Sequence, residues 1–418
     1  MTLDLWLNKI RQLHPVKWDL GLERVGEVGE RMGVIKPATT VFLVAGTNGK
    51  GSTCEFLAQL CHALGLSYGK TTSPFLLKYN EQIIVDGKQV ADQEICDAFE
   101  RIEHSRNKIS LTYFEFGALA ALDIFNRKHL DVAIIEIGLG GRLDAMNIVD
   151  PEVCIITRID VDHQQWLGDN RESIGREKAG ILRAGRPGIC VDPAPPDSVF
   201  SAARELGIEI QSLGQGFSVE DELLTVGDHQ FRLSNLQLPL PSAVAAVCGT
   251  LAAGFKLTQK LVDQAMSKAR LDGRFQVLPM LEKRSEKRSR KTILDVAHNP
   301  GAAEYLCQKL HDQGISSVQA VTGMYGDKDI EQIFRVLTPL VAKWHLCDLD
   351  DERAASGDEM RQRLSSSCGL SGETYGKVSL AYDAATRAAN EDEVILVFGS
   401  FPVVAAVLKY LETTLDRV

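Results

Sequence analysis

The stretch that most constrains this chain is Val41-Phe42-Leu43-Val44-Ala45-Gly46-Thr47-Asn48-Gly49-Lys50-Gly51-Ser52-Thr53. The apolar run Val41–Ala45 reads as a buried strand. A glycine-rich turn carrying an Asn and a Lys follows, and a helix-compatible run begins at Cys54. Strand, glycine loop and helix together form the layout of a phosphate cradle. Glycines let backbone N–H groups approach an anion closely, and the helix N-terminus adds partial positive charge. Lys50 is placed to bridge terminal phosphates, and Ser52 or Thr53 to offer a hydroxyl to Mg²⁺. The commonest phosphate-loop pattern has a Gly where Val44 stands and a Ser or Thr where Gly51 stands, so this loop departs from it.

The chain has 418 residues, enough for two domains, with 46 Lys plus Arg against 56 Asp plus Glu and a formal charge of −10. That charge argues against a nucleic-acid or anionic-membrane surface, though a single cleft can still be locally positive. The nine cysteines are scattered, with no C-x-x-C pair. They read as reduced thiols of a cytoplasmic protein. Neither a signal pattern nor a membrane-length apolar run is found, so no span is expected.

Leu3, Trp6, Leu7 and Ile10 recur at helical spacing, and a second helix opens in Asp19–Val25. Buried strands are expected at 39–45, 131–138, 153–157 and 188–191, and helices at 91–104, 112–129 and around Arg176–Ile181. Lys70–Leu76 reads as a loop, and Glu81–Val85 followed by Asp86-Gly87 as a hairpin. Apolar strands alternating with helices predict an α/β fold: a mostly parallel sheet, covered on both faces, that contains the phosphate loop. A smaller Rossmann-like α/β domain should follow, with strands from Thr292 and near 317–322, 344–348 and 393–399. The expected division is 1–275 and 276–418. The basic run 282–291 reads as a solvated loop or hairpin.

Ligands of such sheets sit at the carboxyl ends of the strands, which here deliver the phosphate loop, Ser73, Glu136 and His163. A hydroxyl, one carboxylate and nucleotide phosphates would suit Mg²⁺, which usually keeps several waters. On pattern alone, His163 reads as a hydrogen-bonded loop histidine and Lys178 as a helix-surface lysine. Arg274 reads as a surface linker residue, and Tyr113-Phe114 as core packing. Glu136 is divided between a metal role and a structural ion pair.

Six motifs occur in order: Gly46–Ser52, Thr72-Ser73-Pro74, Glu136–Asp144, Asp162-His163, Glu177-Lys178-Ala179-Gly180 and Asp295–Pro300. With them the chain resembles, essentially end to end, the folylpolyglutamate synthases, and most of all the bacterial bifunctional dihydrofolate synthase/folylpolyglutamate synthases of the Mur ligase superfamily. The resemblance implies that Gly46, Thr47, Asn48, Gly49, Lys50, Gly51 and Ser52 bind ATP phosphates, joined by Arg274, Asp295 and His298 from the second domain. It implies two Mg²⁺ ions held by Ser73, Glu136 and His163, with a hydroxyl at Ser52 and an N6-carboxylated Lys178. Lys50, His163 and Lys178 become the expected catalytic residues. Pteroate binding falls on Asp19, Leu20, Gly21 and Leu22, on Thr112, Tyr113, Phe114 and Glu115, and on Leu143, Asp144 and Ala145.

The implied reaction is ATP-dependent amide ligation of L-glutamate to dihydropteroate, or to the γ-carboxylate of tetrahydrofolate and its polyglutamates, by a cytoplasmic monomer. An acyl phosphate would form, and ADP and phosphate would leave. Arg274 and Asp295, from beyond the phosphate-loop domain, imply closure of two domains around ATP. Three positions depart from the family pattern. No Asn follows Leu238-Pro239-Leu240-Pro241, Gly301 stands where a His often follows Asn299-Pro300, and Pro402 where a His often follows Phe401. Two rivals are a ligase acting on a nucleotide-sugar carboxylate, which would need a further domain before the first strand, and a non-catalytic nucleotide switch.

Overall fold

The computed structural model describes residues 1–16, 19–278, 291–390 and 393–415. Of the basic run 282–291, only Lys291 lies inside them. Two compact units form, Met1–Arg270 and Leu271–Val418. Residues 271–275, expected in the first domain, therefore fall in the second unit, for local reasons. Gly273 accepts a hydrogen bond from Val296 N at 2.8 Å. Phe275 N donates to the Asp295 carboxylate at 2.8 Å, and the Phe275 side chain joins the second unit's core.

The first unit is built on strands β1 (Thr40–Ala45), β2 (Tyr68–Thr71), β3 (Ile83–Val85), β4 (Lys88–Gln89), β5 (Val132–Glu136), β6 (Val153–Ile156), β7 (Gly188–Cys190), β8 (Ile210–Leu213), β9 (Gly216–Glu220), β10 (Leu223–Val226) and β11 (His229–Arg232). They lie in one sheet in the order β11-β10-β9-β8-β7-β6-β1-β5-β2-β3-β4. From β8 to β2 the strands run parallel, and antiparallel hairpins flank them at both edges. β1 holds the middle, in register with β5 from Thr40↔Val132 to Val44↔Glu136 and with β6 from Phe42↔Val153. Its residues Val41–Ala45 and all of β5 are buried, which is why both read as unbroken apolar runs. The chain leaves β1 toward β2 on one side and later takes up β6 to β8 on the other. The crevice at β1 is the switch point where such sheets bind ligands.

Two strand regions differ from the expectation. Lys70 and Thr71, read as loop, close β2, a strand buried throughout. Its sequence hides the fact. Gly69 lies under the Phe125 ring, where a Cβ would come within 2.4 Å, and the buried Lys70 is neutralised by an ion pair with Glu55. Strands β8 to β11 were not anticipated, because their half-exposed polar alternation interrupted by Gly214, Gly216 and Gly227 imitates loop.

The second unit carries β12 (Gln276–Leu278), β13 (Thr292–Asp295), β14 (Val318–Thr322), β15 (Val341–Cys347), β16 (Glu373–Tyr375) and β17 (Val394–Phe398). They order as β12-β13-β17-β14-β15-β16, all parallel except β12. Phe334, Trp344 and Phe398 pack at its centre, with ring centroids 4.8 and 6.3 Å apart. All nine cysteines are free thiols. No helix among the described residues is long and apolar enough to cross a membrane.

Candidate active site

The phosphate loop leaves β1 at Gly46 and enters the helix Lys50–Leu64 through Gly49, whose φ of +89° suits glycine. No side chain caps this helix, so its first-turn N–H groups are left for an anion. The loop is pinned from the segment that follows β6. Thr157 Oγ1 donates to Asn48 O at 2.7 Å, Thr47 N donates to Arg158 O at 2.7 Å, and Asn48 Nδ2 donates to Asp160 Oδ2 at 2.9 Å. Gly46 lies so close to β6 that a Cβ would sit 1.7 Å from Thr157 Oγ1. Lys50 folds back across the loop, donating to Gly46 O at 3.0 Å and Thr47 O at 3.3 Å. The side chains of Ser52 and Thr53 are buried, and Thr53 Oγ1 has no hydrogen-bond partner among the described residues.

Ser73 and Glu136 meet at the ends of neighbouring strands. Glu136 closes β5, and its Oε2 accepts from Ser73 N at 3.2 Å. Both line one cavity, together with Thr72, Tyr79, Tyr113 and Phe114. The cavity thus joins two sets of residues singled out separately in the sequence, the expected metal-binding pair and the aromatic pair. His163 follows β6 at φ +53°, precedes the short helix Gln164–Leu167, and is partly exposed with Nε2 4.0 Å from Asp162 Oδ2.

Lys178 is not a surface lysine. It lies near the end of the helix Arg171–Ala179 and is 2% exposed. Among the described residues, Nζ makes no hydrogen bond or ion pair. Burial pushes its amine down to about 7, and the nearby Lys50 charge adds to the fall, against Asp162, Asp144 and Asp160. The loop after β5 is pressed onto this helix. A Cβ at Gly141 would come 2.6 Å from Glu177 O and 3.0 Å from Lys178 Cα, while on the loop's other side one at Gly138 would come 2.5 Å from the Phe114 ring of the helix Tyr113–Lys128. Asp144 holds that loop's shape, accepting from Leu139 N at 2.8 Å and Met146 N at 2.9 Å. Its burial raises the carboxyl to about 6 despite those bonds.

The three segments expected to bind pteroate are tied together. Gly21 N donates to Leu143 O at 3.2 Å. Thr112 and Glu115 form a capping box at the start of the helix Tyr113–Lys128. Arg24, which the sequence reading did not single out, bonds both Asp19 and Glu115. Tyr113 packs edge-on to Tyr79 at 6.0 Å. Leu20 packs against the core.

In the second unit, Arg274 lies over the Phe401 ring at 5.5 Å. Asp295 is buried at the end of β13, where burial raises its carboxyl against the pull of Arg274. His298 Nδ1 donates to Val296 O at 2.7 Å. Asn299 caps the helix Pro300–Asp312. Thr157, Arg158 and Asp160, which hold the phosphate loop, stand outside the motifs of the sequence. The loop after a buried strand, rich in carboxylates, was the signal available.

Two family models match: the Mur ligase middle domain over residues 44–214 and the Mur ligase, glutamate ligase domain over 273–401. The dihydrofolate synthase/folylpolyglutamate synthase of Escherichia coli K12 is 41% identical over 416 residues, covering 98% of this chain and 96% of that protein. A structure of E. coli FolC in complex with DHPP and ADP superposes at a TM-score of 0.93, with 39% identity, over 99% of this chain and 98% of the other. The Yersinia pestis bifunctional enzyme, complexed with AMPPNP and Mn, gives 0.90 and 40% over the same shares. The chain therefore belongs to the dihydrofolate synthase/folylpolyglutamate synthase family of Mur ligases.

Proposed function

We propose that this ATP-dependent ligase joins L-glutamate to dihydropteroate, giving dihydrofolate, and to the γ-carboxylate of tetrahydrofolate and its polyglutamates. The cavity shared by Ser73, Glu136, Tyr113 and Phe114 carries the reading. Its aromatic walls suit a flat pteridine or benzoate body. Its polar end lies at the strand ends beside the phosphate loop, where an acceptor carboxylate and a γ-phosphate need to meet.

The steps require no side-chain nucleophile. An acceptor carboxylate oxygen attacks the γ-phosphorus as the bond to ADP breaks, giving an acyl phosphate. The glutamate amine then attacks the acyl carbon, loses a proton, and phosphate leaves. The protein supplies position and charge. The N–H groups of Gly49 to Ser52 hold phosphate oxygens, the loop before them being fixed by Thr47 N and Asn48 N on Arg158 O, and Lys50 turns from its loop carbonyls to the terminal phosphate. Arg274, Asp295 and His298 are the second unit's nucleotide contacts by resemblance.

A divalent cation fits the donors present. Among the described residues no group of three or more His, Cys, Asp and Glu gathers. Mg²⁺ shared with phosphates needs only one or two protein oxygens. Ser73 and Glu136 would supply these for one ion, and His163 with Lys178 would serve a second. Ser52 offers a further hydroxyl. When bound, Mg²⁺ neutralises phosphate charge during transfer. A buried amine at about 7 is largely available as the free base that adds CO₂, and the carbamate is an anionic oxygen donor where an ammonium would repel a cation.

The test is ADP release with ATP, Mg²⁺ and L-glutamate, comparing dihydropteroate with tetrahydrofolate. Turnover with both is expected. Tetrahydrofolate alone would reduce the enzyme to a polyglutamate synthase, and turnover with neither would refute the reading.

A further inference from the structure

We propose that Arg24 positions the acceptor-binding face, strapping residues 19–22 to the start of the helix Tyr113–Lys128. The inference rests on the reading that a pteroate-class acceptor lies against these segments. Arg24 sits in the first turn of the helix Glu23–Met32. Its Nη1 is 2.7 Å from Asp19 Oδ2. Its Nη2 donates to Asp19 O at 2.9 Å and to Glu115 Oε1 at 3.1 Å. One planar fork thus joins Asp19, five residues before Arg24, to Glu115, 91 residues after it. Glu115 is buried, and its other oxygen accepts from Thr112 N at 2.6 Å. The same carboxylate therefore caps the helix bearing Tyr113 and Phe114 and receives the strap.

The segment 19–22 has no secondary structure of its own. Leu22 caps the next helix without a side-chain hydrogen bond. Apart from Arg24, the polar ties of the segment to other parts of the fold among the described residues are Gly21 N to Leu143 O and His14 Nε2 at 3.2 Å from Asp19 Oδ2, while Leu22 O accepts from Gly26 N in the helix that follows. His14 is anchored in turn by Ser110 Oγ at 2.8 Å. The Arg24 bonds are charge-assisted and partly desolvated, with side-chain exposures of 27% for Arg24 and 3% for Glu115. Lysine has the charge but a single nitrogen in place of the fork, so it cannot reproduce the three contacts that Nη1 and Nη2 make to Asp19 and Glu115. Losing the strap frees residues 19–22 to drift relative to Tyr113 and Phe114. A misplacement of about 1 Å in a binding face is enough to cost the acceptor its fit.

The experiment uses Arg24→Lys, Arg24→Gln and Asp19→Asn in the full chain. Dihydropteroate binding is measured by calorimetry with a non-hydrolysable ATP analogue and Mg²⁺, alongside steady-state kinetics and thermal melting. Arg24→Lys should raise the dihydropteroate Kd and KM by about tenfold or more, as loss of a forked charge-assisted contact implies. It should leave kcat within about twofold and the ATP KM unchanged, since the phosphate loop is untouched. Asp19→Asn, itself at an expected acceptor contact, should add little to the rise when combined with Arg24→Lys, and Arg24→Gln, which has neither the charge nor the fork, should reproduce the rise and decides the matter if Arg24→Lys does not fold. A folded Arg24→Lys with unchanged acceptor Kd and KM, or a fall in kcat at unchanged KM, overturns the proposal. Binding needs no turnover, so failure of the reaction itself would be told apart from failure of the strap.

Discussion

Replacing Lys178 with Met should make the protein more stable and inactive, with a pH dependence that reports the buried amine. Lys178 is 2% exposed and its amine is held at about 7 instead of 10.5. The folded pKa lies below the unfolded one. Between pH 7 and 10.5 the unfolded chain therefore binds a proton that the folded chain does not, and stability rises with pH across that window. Below pH 7 both states are protonated, and the folded state carries the full cost of the buried charge. A shift of that size corresponds to roughly 5 kcal/mol at pH 6, falling to about 2 kcal/mol at pH 9. Methionine matches the length without the charge and adapts to irregular space. Lys178→Met should thus gain up to about 5 kcal/mol at pH 6 and about 2 kcal/mol at pH 9.

The assay is urea unfolding of both proteins in CO₂-free buffer at the two pH values. A gain that does not change between pH 6 and pH 9, or a loss at pH 6, would refute the argument. Turnover provides the second half. Added CO₂ should raise the activity of the wild-type protein by carbamylating the free amine, and should leave Lys178→Met inactive. The residue would then be one at which stability is given up for function.

Two further substitutions test the backbone that shapes the site. Gly46→Ala would set a Cβ 1.7 Å from Thr157 Oγ1 at a φ of +152°, costing about 3 kcal/mol by overpacking and strain. In a Thr157→Ala background part of that cost should vanish, giving a coupling of at least about 1 kcal/mol in a double-mutant cycle followed by denaturation; strict additivity would count against the contact. Gly141→Ala would press a Cβ against Glu177 O at 2.6 Å and Lys178 Cα at 3.0 Å, both backbone. Turnover should fall by about 100-fold through displacement of the Lys178 helix, while titration with AMPPNP should show nucleotide binding retained.

The fold was legible where hydrophobicity and backbone geometry agree. β1 and β5 are buried on both faces and read as plain apolar runs. The capping box at Thr112 and Glu115 marks the helix Tyr113–Lys128 from four residues. Legibility failed where tertiary context supplied what the local sequence lacked. β2 is buried although it contains a glycine and a lysine, because a ring from another helix covers the first and a carboxylate neutralises the second. No period in Tyr68–Thr71 encodes either partner.

The same distinction runs through the site. The phosphate loop announces itself because a cradle must be contiguous: strand, glycines, lysine and helix follow one another in the chain. The Glu136, Ser73 and Tyr113 cavity does not, since its walls come from β5, the end of β2 and a helix between them. Strand-end reasoning brings Ser73 and Glu136 together in advance, but nothing in the chain sets Tyr113 beside them. Lys178 is the sharpest case. A lysine among Arg176, Glu177 and Gly180 has every local sign of a solvated helix face. Its burial comes from the loop of Gly138 to Asp144, whose small residues allow the chain to lie directly on the helix. Those glycines and that lysine are thus one feature written in two places. A glycine whose backbone lies against a charged residue's own Cα, as Gly141 does against Lys178, marks that charge as buried once the fold is known. Arg24 escaped notice for the complementary reason. Its two carboxylate partners, one five residues back and one 91 residues on, become neighbours only when the helix Glu23–Met32 docks. Helix-surface arginines in general look alike until the elements they join have been placed.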